Sequence, residues 1–125
     1  MNLNQVTVAV TDVPRAISFY QRLGLRLIVE SLPDYARFVC PDGQASFSLS
    51  REAQVVPGST LIYFECEELD AEVARLQADG LQFEQLPQEQ PWLWREAYLR
   101  DPDWNRICLY HAGENRLNPP WRLPE

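Results

Sequence analysis

The chain has little histidine, little cysteine and no long hydrophobic run. Its 125 residues include one histidine, His111, and three cysteines, Cys40, Cys66 and Cys108. Three cysteines, each alone in a strand-like segment, argue against a disulfide framework or a zinc knuckle. We therefore expect them to be reduced. The single histidine excludes an iron site of two histidines and one carboxylate within one chain.

Membranes and nucleic acids are also poor partners for this sequence. No apolar run approaches the roughly 20 residues that a membrane-spanning helix needs. The opening segment MNLNQVTVAV lacks the basic start and the cleavage site of a signal peptide. A net charge of −7 disfavours binding to phosphate backbones, which requires clustered cations. We expect a cytoplasmic protein. Its acidity mildly favours cationic small molecules, although the simpler explanation is that the charge keeps the protein in solution.

What the chain does have is an internal repeat. Residues 5–24 align without a gap on residues 61–80, an offset of 61 − 5 = 56. Each copy contains an alternating strand, an acidic helix start, an amphipathic helix and a glycine, Gly24 or Gly80, that ends the helix. The repeat predicts one supersecondary unit used twice.

The two copies extend into similar series of elements. Module one, residues 1–55, is predicted as a strand at 4–11, a helix capped by Asp12, and strands at 25–30, 35–40 and 44–50. Module two, residues 56–112, is predicted as a strand at 61–66, a helix at 69–79, a short strand at 81–84, a polar loop at 85–91, and strands at 94–100 and 106–111. The proline-rich tail, 113–125, should be neither regular helix nor strand, and we expect it to fold back over the body or onto a partner subunit. Together they form one domain, 1–125.

Strand side chains alternate between two faces, and one face of the predicted strands is apolar. We expect the two helices to cover it. It carries Val6, Val8, Val10, Phe47, Leu49, Ile62, Phe64, Ala97, Leu99, Ile107 and Leu109. The other face mixes hydroxyl groups, aromatic rings, an amide and charges of both signs. Such a lining suits a small-molecule pocket, and a dimer interface is the alternative. The candidate ligand-binding residues are Gln5, Thr7, Arg37, Ser48, Tyr63, Glu65, Trp94, Glu96, Tyr98, Arg106 and Cys108.

Three segments resemble the vicinal oxygen chelate superfamily, which includes glyoxalase I, extradiol dioxygenases and bleomycin resistance proteins. They are VTVAVTDVPRAISFYQRLGL, FECEELDAEVARLQADG and REAYLRDPDWNRICLY. The resemblance covers about residues 1–112. It implies an α+β fold in which two tandem βαβββ modules form curved mixed sheets around a cleft, with helices on the outer face. It also implies a homodimer.

Members of this superfamily usually hold a divalent metal through four strand positions. The resemblance places Gln5, Ser48, Leu61 and Cys108 at these positions. Leu61 has no donor atom and Ser48 is a poor neutral ligand, although Gln5 and a Cys108 thiolate could serve. His111 lies on the other face from Cys108, so we expect a surface histidine. The turn also departs from the family pattern, which usually has a glycine with positive φ where Trp104 stands. We expect Asn105 to take part of that role.

The sequence leaves three functions open. The favoured one is metal-independent binding of a small planar or aromatic molecule, as in bleomycin resistance proteins, with neither metal nor cofactor. Trp94, Tyr98, Tyr63 and Trp92 would hold the ring; Glu65 and Glu96 would favour a cationic group, and Arg37 and Arg106 would fix a carboxylate or phenolate. The alternative is a lyase or dioxygenase with a degenerate metal site, or with Glu65 or Glu96 as a base of raised pKa. The third is a scaffold without a ligand. No catalytic residue is assigned.

Overall fold

The computed structural model describes all of residues 1–125 and contains eight strands and two α-helices. The first module consists of β1 (Gln5–Val10), α1 (Val13–Arg22), β2 (Arg26–Ser31), β3 (Tyr35–Val39) and β4 (Ser46–Arg51). The second consists of β5 (Leu61–Glu65), α2 (Leu69–Ala78), β6 (Gln85–Glu89), β7 (Arg95–Arg100) and β8 (Arg106–His111). The predicted pair of βαβββ modules is confirmed.

Each module forms its own four-stranded mixed sheet. The strand orders are β1-β4-β3-β2 and β5-β8-β7-β6, so strands in matching places have matching neighbours. The first strand of each module runs parallel to the last, and the remaining pairs are antiparallel. The chain divides into two compact units: Met1–Gly58 with Asp101–Asn105, and Ser59–Arg100 with Arg106–Glu125. We call them the first unit and the second unit.

The two helices begin and end at positions that differ by the repeat offset. At the start of α1 the Asp12 carboxylate accepts a hydrogen bond of 3.0 Å from the Arg15 amide. Each helix ends at a glycine with positive φ, 105° at Gly24 and 94° at Gly80. The amide of the residue after each glycine then bonds back into the last helical turn, Leu25 to Tyr20 and Leu81 to Leu76. The repeat thus includes the way each helix stops.

The first unit is anchored by a buried tyrosine. Tyr20 on α1 is fully buried, and its hydroxyl donates a hydrogen bond of 2.7 Å to Asp101. Asp101 also accepts from the backbone amides of Asp103 and Asn105, which holds the turn at 101–105. The positive φ of this turn, 68°, belongs to Trp104 itself. The expectation that Asn105 takes this role is wrong, because its own φ is not positive. Its side chain is bonded to Asp101 and to the Ala9 carbonyl.

The predicted apolar strand faces contribute to the cores of the two units, but Val6, Val8, Ile62 and Phe64 from that face are only half-buried. The buried residues from the predicted apolar face are Val10, Phe47, Leu49, Ala97, Leu99, Ile107 and Leu109. The helices contribute Ala16, Ile17 and Tyr20 from α1 and Leu69, Val73 and Leu76 from α2. Neither helix is long and apolar enough to cross a membrane.

Two element predictions are wrong. The segment 81–84 is not a strand, since Leu81 completes the end of α2, and the predicted polar loop instead contains β6, Gln85–Glu89. This strand is polar because it lies at the edge of its sheet, where Pro87 is tolerated without a backbone N–H. The tail agrees with its prediction except at its start, where Gly113–Arg116 forms a short 3₁₀ helix ahead of the first proline.

Candidate functional site

Four of the predicted site residues form one hydrogen-bonded group on the first sheet. The Gln5 amide nitrogen lies 3.0 Å from the Ser48 hydroxyl and 3.1 Å from the Thr7 hydroxyl. Arg37 stands opposite Ser48 in the β3–β4 pairing. Because all four side chains lie on one face of the sheet, the structure brings them together as the alternation predicts.

Tyr35 connects this group and was not among the predicted site residues. Its hydroxyl lies 2.7 Å from the Ser48 hydroxyl and accepts a hydrogen bond of 2.9 Å from Arg37 Nε. The hydrogen bond with Ser48 lowers the pKa of Tyr35, and Arg37 lowers it further. The signal in the sequence was the spacing of Tyr35 and Arg37, two residues apart on one strand, which puts both on the same face.

The second sheet carries a cleft of about 390 Å³. Its lining residues are Glu84, Gln85, Gln90, Trp92, Glu96, Tyr98 and Arg106. Glu84 immediately precedes β6, and the strands β6, β7 and β8 and the loop that joins β6 to β7 supply the other side chains. Three of the predicted site residues, Glu96, Tyr98 and Arg106, lie here.

Glu96 is the buried acid of this cleft, with 1% of its surface exposed. One carboxylate oxygen accepts a hydrogen bond of 2.9 Å from the Trp92 indole nitrogen, and the other accepts one from the Tyr98 hydroxyl. Burial and the bond to Glu96 both raise the pKa of Tyr98. Each carboxylate oxygen thus has a donor within the chain, which lets the acid remain buried.

Arg106 is the cation of the cleft. Its guanidinium lies 5.6 Å from the centre of the Tyr98 ring, within the range of a cation–π contact. It forms no ion pair within the chain. In contrast, the cleft residue Glu84 is paired with Arg100 at 3.0 Å. Arg106 is therefore the charged group that is available to a ligand.

A second aromatic cluster holds Tyr63 and Trp94 together with Tyr110, and Cys108 lies between Tyr63 and the cleft residue Tyr98 in the ladder. Trp94 stacks on Tyr110 with ring centres 4.8 Å apart, and Tyr63 meets both rings edge to face. The Trp94 indole nitrogen donates to the Asn115 carbonyl at 3.3 Å, so the cluster contacts the start of the tail. Only the start of the tail lies against the body in this way: Trp121 is 57% exposed, so the fold-back over the body predicted for the whole tail is not seen beyond it.

Glu65 also holds the start of the tail. Its carboxylate accepts hydrogen bonds from the amides of Ala112 and Gly113, at 2.8 and 2.9 Å. Burial raises the pKa of Glu65, but these two amides, with His111 and Arg116, outweigh burial and lower it. The raised pKa that a base would need is absent from Glu65. His111 itself is exposed as predicted, with Nδ1 3.1 Å from the Cys66 carbonyl.

The four positions that the resemblance assigns to a metal do not fit one. Leu61 offers no ligand atom. Burial raises the pKa of Cys108 to about 12, so its thiol is protonated at neutral pH and is a poor ligand. Nowhere in the chain do three His, Cys, Asp or Glu side chains form a group that could hold a metal ion. The amide of Gln5 and the hydroxyl of Ser48 bind each other instead.

The comparisons with known proteins place the chain in a family. The model of the Glyoxalase/Bleomycin resistance protein/Dioxygenase superfamily matches residues 2–109. The chain belongs to this superfamily. It is also similar to the uncharacterized protein YraH of Bacillus subtilis strain 168, with 30% identity over 88% of this chain and 98% of that protein.

Solved structures of the superfamily share the fold. A bleomycin-binding protein complexed with bleomycin superposes with a TM-score of 0.74 at 16% identity, over 89% of this chain and 98% of that one. Lactoylglutathione lyase from Agrobacterium tumefaciens gives a TM-score of 0.73 at 20% identity, over 88% of this chain and 92% of that one. At such identities the likeness extends to the fold alone.

Proposed function

We propose that the protein binds a small planar aromatic molecule in the cleft of the second unit, without a metal ion. The observation that carries this proposal is the composition of the cleft. Trp92 and Tyr98 offer ring surfaces, and Arg106 offers a charge that no carboxylate of the chain neutralises. Aromatic walls with a few polar groups are typical of small-molecule sites.

Of the three ionic side chains in the cleft, Glu84 is paired with Arg100, so the charge of the ligand follows from Glu96 and Arg106. Glu96 already accepts hydrogen bonds at both oxygens, from Trp92 and Tyr98. A ligand cation would compete with these bonds, whereas an anion would meet the unpaired guanidinium of Arg106. Arginine also matches the planar geometry of a carboxylate. We therefore infer a ligand that joins an aromatic ring to a carboxylate or phenolate.

Sequestration is the use of this site that best suits its parts. Binding alone requires shape and charge complementarity and no group that stabilises a transition state. The solved bleomycin-binding protein shares the fold with this chain. That relative supports a binding role on this fold, and the present cleft residues carry the argument for the ligand class.

A matched series of probes tests the proposal. Naphthoate, naphthylmethanol and naphthylmethylammonium share one ring system and differ in charge. Calorimetric titration should give the tightest binding for naphthoate, weaker binding for the alcohol and the weakest for the ammonium compound. Arg106→Gln should reduce naphthoate affinity about tenfold, since a charged hydrogen bond contributes about 1.5–3 kcal/mol, and leave the alcohol nearly unchanged.

The matched control is Arg95→Gln. Arg95 lies on β7 of the same sheet, but it is paired with Asp70 at 2.9 Å and does not line the cleft. Arg95→Gln removes the same charge as Arg106→Gln. An equal loss of naphthoate affinity in the two variants would therefore mean that only the net charge of the protein matters. Failure of all three probes to bind wild-type protein would refute the proposal.

An enzyme that uses the same cleft is the second candidate, and the specific observation for it is the buried Glu96 with the Tyr98 hydroxyl bonded to it. Such a pair can exchange a proton with a bound substrate. Incubation with the hemithioacetal of methylglyoxal and glutathione, which isomerises to lactoylglutathione, the compound named for the solved lyase, gives the discriminating assay. Formation of lactoylglutathione that is lost in Glu96→Gln would favour the enzyme, and no formation above the uncatalysed rate would favour the binding protein.

We further propose that the protein is a homodimer, as the family resemblance implies. The strands β1, β2, β5 and β6 lie at sheet edges, and unpaired strand edges in proteins are commonly covered by a partner or another element. Light scattering coupled to size-exclusion chromatography measures the mass directly. A mass of one chain, 14.5 kDa, across the accessible concentration range would refute this part of the proposal.

A further inference from the structure

The hydrogen bonds around Tyr35 begin at the Gln5 side chain, whose orientation the chain itself fixes. The Gln5 amide nitrogen lies 3.0 Å from the Val6 carbonyl, and a carbonyl oxygen can only accept. The nitrogen of the Gln5 side chain must therefore face Val6, and its oxygen faces Ser46, whose hydroxyl donates to it. With one proton on the Val6 carbonyl, the same nitrogen shares its second proton between the Ser48 hydroxyl at 3.0 Å and the Thr7 hydroxyl at 3.1 Å.

The Tyr35 hydroxyl is bonded to both Ser48 and Arg37. Ser48 can accept from Gln5 and donate its own proton to the Tyr35 oxygen, 2.7 Å away, and either hydroxyl can be the donor of this bond. Arg37 Nε donates to that same oxygen at 2.9 Å. When Ser48 is the donor, the Tyr35 oxygen accepts two hydrogen bonds, and none of these three neighbours takes the proton of its hydroxyl. That proton is available to a ligand.

Arg37 adds a second set of free donors beside this hydroxyl. Its Nε is bonded to Tyr35, but the guanidinium forms no ion pair within the chain. The arginine also lies 5.5 Å from the centre of the Tyr35 ring, which fixes the two side chains together. Ser48, which supports them from below, is fully buried. The group is therefore an ordered arrangement on a buried base.

We propose that Tyr35 and Arg37 form an oxyanion-binding site on the first sheet, which takes a carboxylate. One carboxylate oxygen would accept from the Tyr35 hydroxyl and the other from the terminal nitrogens of Arg37. The two hydrogen bonds that the Tyr35 oxygen accepts strengthen its hydroxyl as a donor. The lowered pKa of Tyr35 agrees with this polarisation.

This site reverses the charge preference that the family resemblance assigned to these positions. Gln5 and Ser48, which would be metal ligands by resemblance, are here hydrogen-bonded to each other and orient Tyr35. No carboxylate of the chain takes part in the group, so it attracts an anion and repels a cation. The inference stands apart from the proposed function, which depends on the cleft residues of the second unit.

Titration with acetate, followed by proton–nitrogen correlation spectroscopy, tests the site. Acetate has no ring, so it separates oxyanion recognition from aromatic binding in the cleft. We expect acetate to shift the amide resonances of residues 35–37 and 46–50 in wild-type protein. Tyr35→Phe and Arg37→Gln should each raise the apparent dissociation constant for acetate, obtained from these shifts, about tenfold.

Arg26→Gln is the matched control. Arg26 pairs with Val39 in the β2–β3 ladder, so it lies on the same face of the same sheet and outside the Tyr35 group. It should leave acetate affinity within about twofold, since an exposed charge at a distance is screened. Ser48→Ala retains both ligand-contacting side chains and should give an intermediate loss, because it removes only the support of Tyr35.

Two results would overturn the inference. One is equal acetate affinity in wild-type protein and Tyr35→Phe, and the other is an equal loss in Arg26→Gln and Arg37→Gln. Naphthoate titration of the same Tyr35→Phe protein separates this site from the cleft. Retained shifts of the cleft residues there would leave the proposed function standing even if the oxyanion site failed.

Discussion

The two sheets have the same strand order and register but carry side chains of different chemical type at matching positions. In the first sheet Ser48 is flanked by Thr7 and Arg37 in the ladder. In the second, Cys108 occupies the equivalent place, flanked by Tyr63 and Tyr98. Two hydroxyls and a cation in one sheet thus correspond to a thiol and two phenols in the other. The fold supplies the positions, and the residues at them decide the chemistry.

The position next along the ladder sharpens this contrast. Tyr35 faces Ser50 in the first sheet, and Glu96 faces Tyr110 in the equivalent place of the second. In the proposed oxyanion site Tyr35 donates its hydroxyl proton, whereas Glu96 is a buried acceptor whose two oxygens are already bonded. On this proposal the repeated scaffold carries a donor site in one half and a satisfied buried acid in the other.

Thiol chemistry should give the largest effect. Cys108 is fully buried and its pKa is raised to about 12, whereas Cys66 is only half-buried. Since the thiolate is the reactive form, Cys108 should be alkylated at least about a hundredfold more slowly than Cys66 at mildly alkaline pH. Iodoacetamide labelling followed by peptide mass spectrometry measures both rates. Comparable rates in the native protein would contradict the buried position of Cys108.

The next largest effect is expected on the free energy of unfolding when Ser48 and Cys108, the matched residues of the two sheets, are exchanged. Cys108→Ser puts a hydroxyl into the cluster of Tyr110, Ala112 and their apolar neighbours, and we expect it to lower the free energy of unfolding by about 2 kcal/mol. Ser48→Cys, the reciprocal change, should cost only about 1 kcal/mol, because Gln5 and Tyr35 lie at the surface and can bond to water. Urea unfolding measures both, and a larger loss for Ser48→Cys would reverse the comparison.

The acid dependence of the tail is a smaller effect, confined to the second unit. The pKa of Glu65 is lowered in the folded protein, so its contribution is present above the unfolded pKa of about 4.3 and is lost as the pH falls through the folded pKa. Ala9 occupies the equivalent place in the first module by the repeat offset. Wild-type protein should therefore lose more stability on acidification than Glu65→Gln, by thermal unfolding at a series of pH values. An equal loss of stability on acidification in wild-type protein and Glu65→Gln would show that Glu65 does not hold the tail.

The sequence predicted the parts of this fold that depend on periodicity. Alternation separated Leu99 and Ile107 from Tyr98 and Cys108, and the repeat located both helices. It missed β6, because a polar edge strand with a proline has neither the alternation nor the composition of a core strand. That error also hid Gln85, since a residue assigned to a loop gives no prediction of which sheet face it lines.

The hydrogen bonds within the site could not be predicted from the sequence, for a different reason. Alternation tells which side chains share a face but not which of them touch. Tyr35 and Arg37 shared a face by spacing, yet only coordinates join them to Ser48. Likewise, Glu65 and Glu96 looked equivalent as acids, but one holds the tail and the other bonds to Trp92 in the cleft.

The most direct test of the central claim observes the indole N–H signals of the four tryptophans during titration with naphthoate. The Trp92 indole donates to Glu96 at the cleft, whereas Trp104 is 60% exposed and does not line it. Trp92→Phe assigns the signal. The account predicts that naphthoate shifts the Trp92 resonance in a saturable manner and leaves that of Trp104 in place. A saturable shift of Trp104 with an unmoved Trp92 would contradict it.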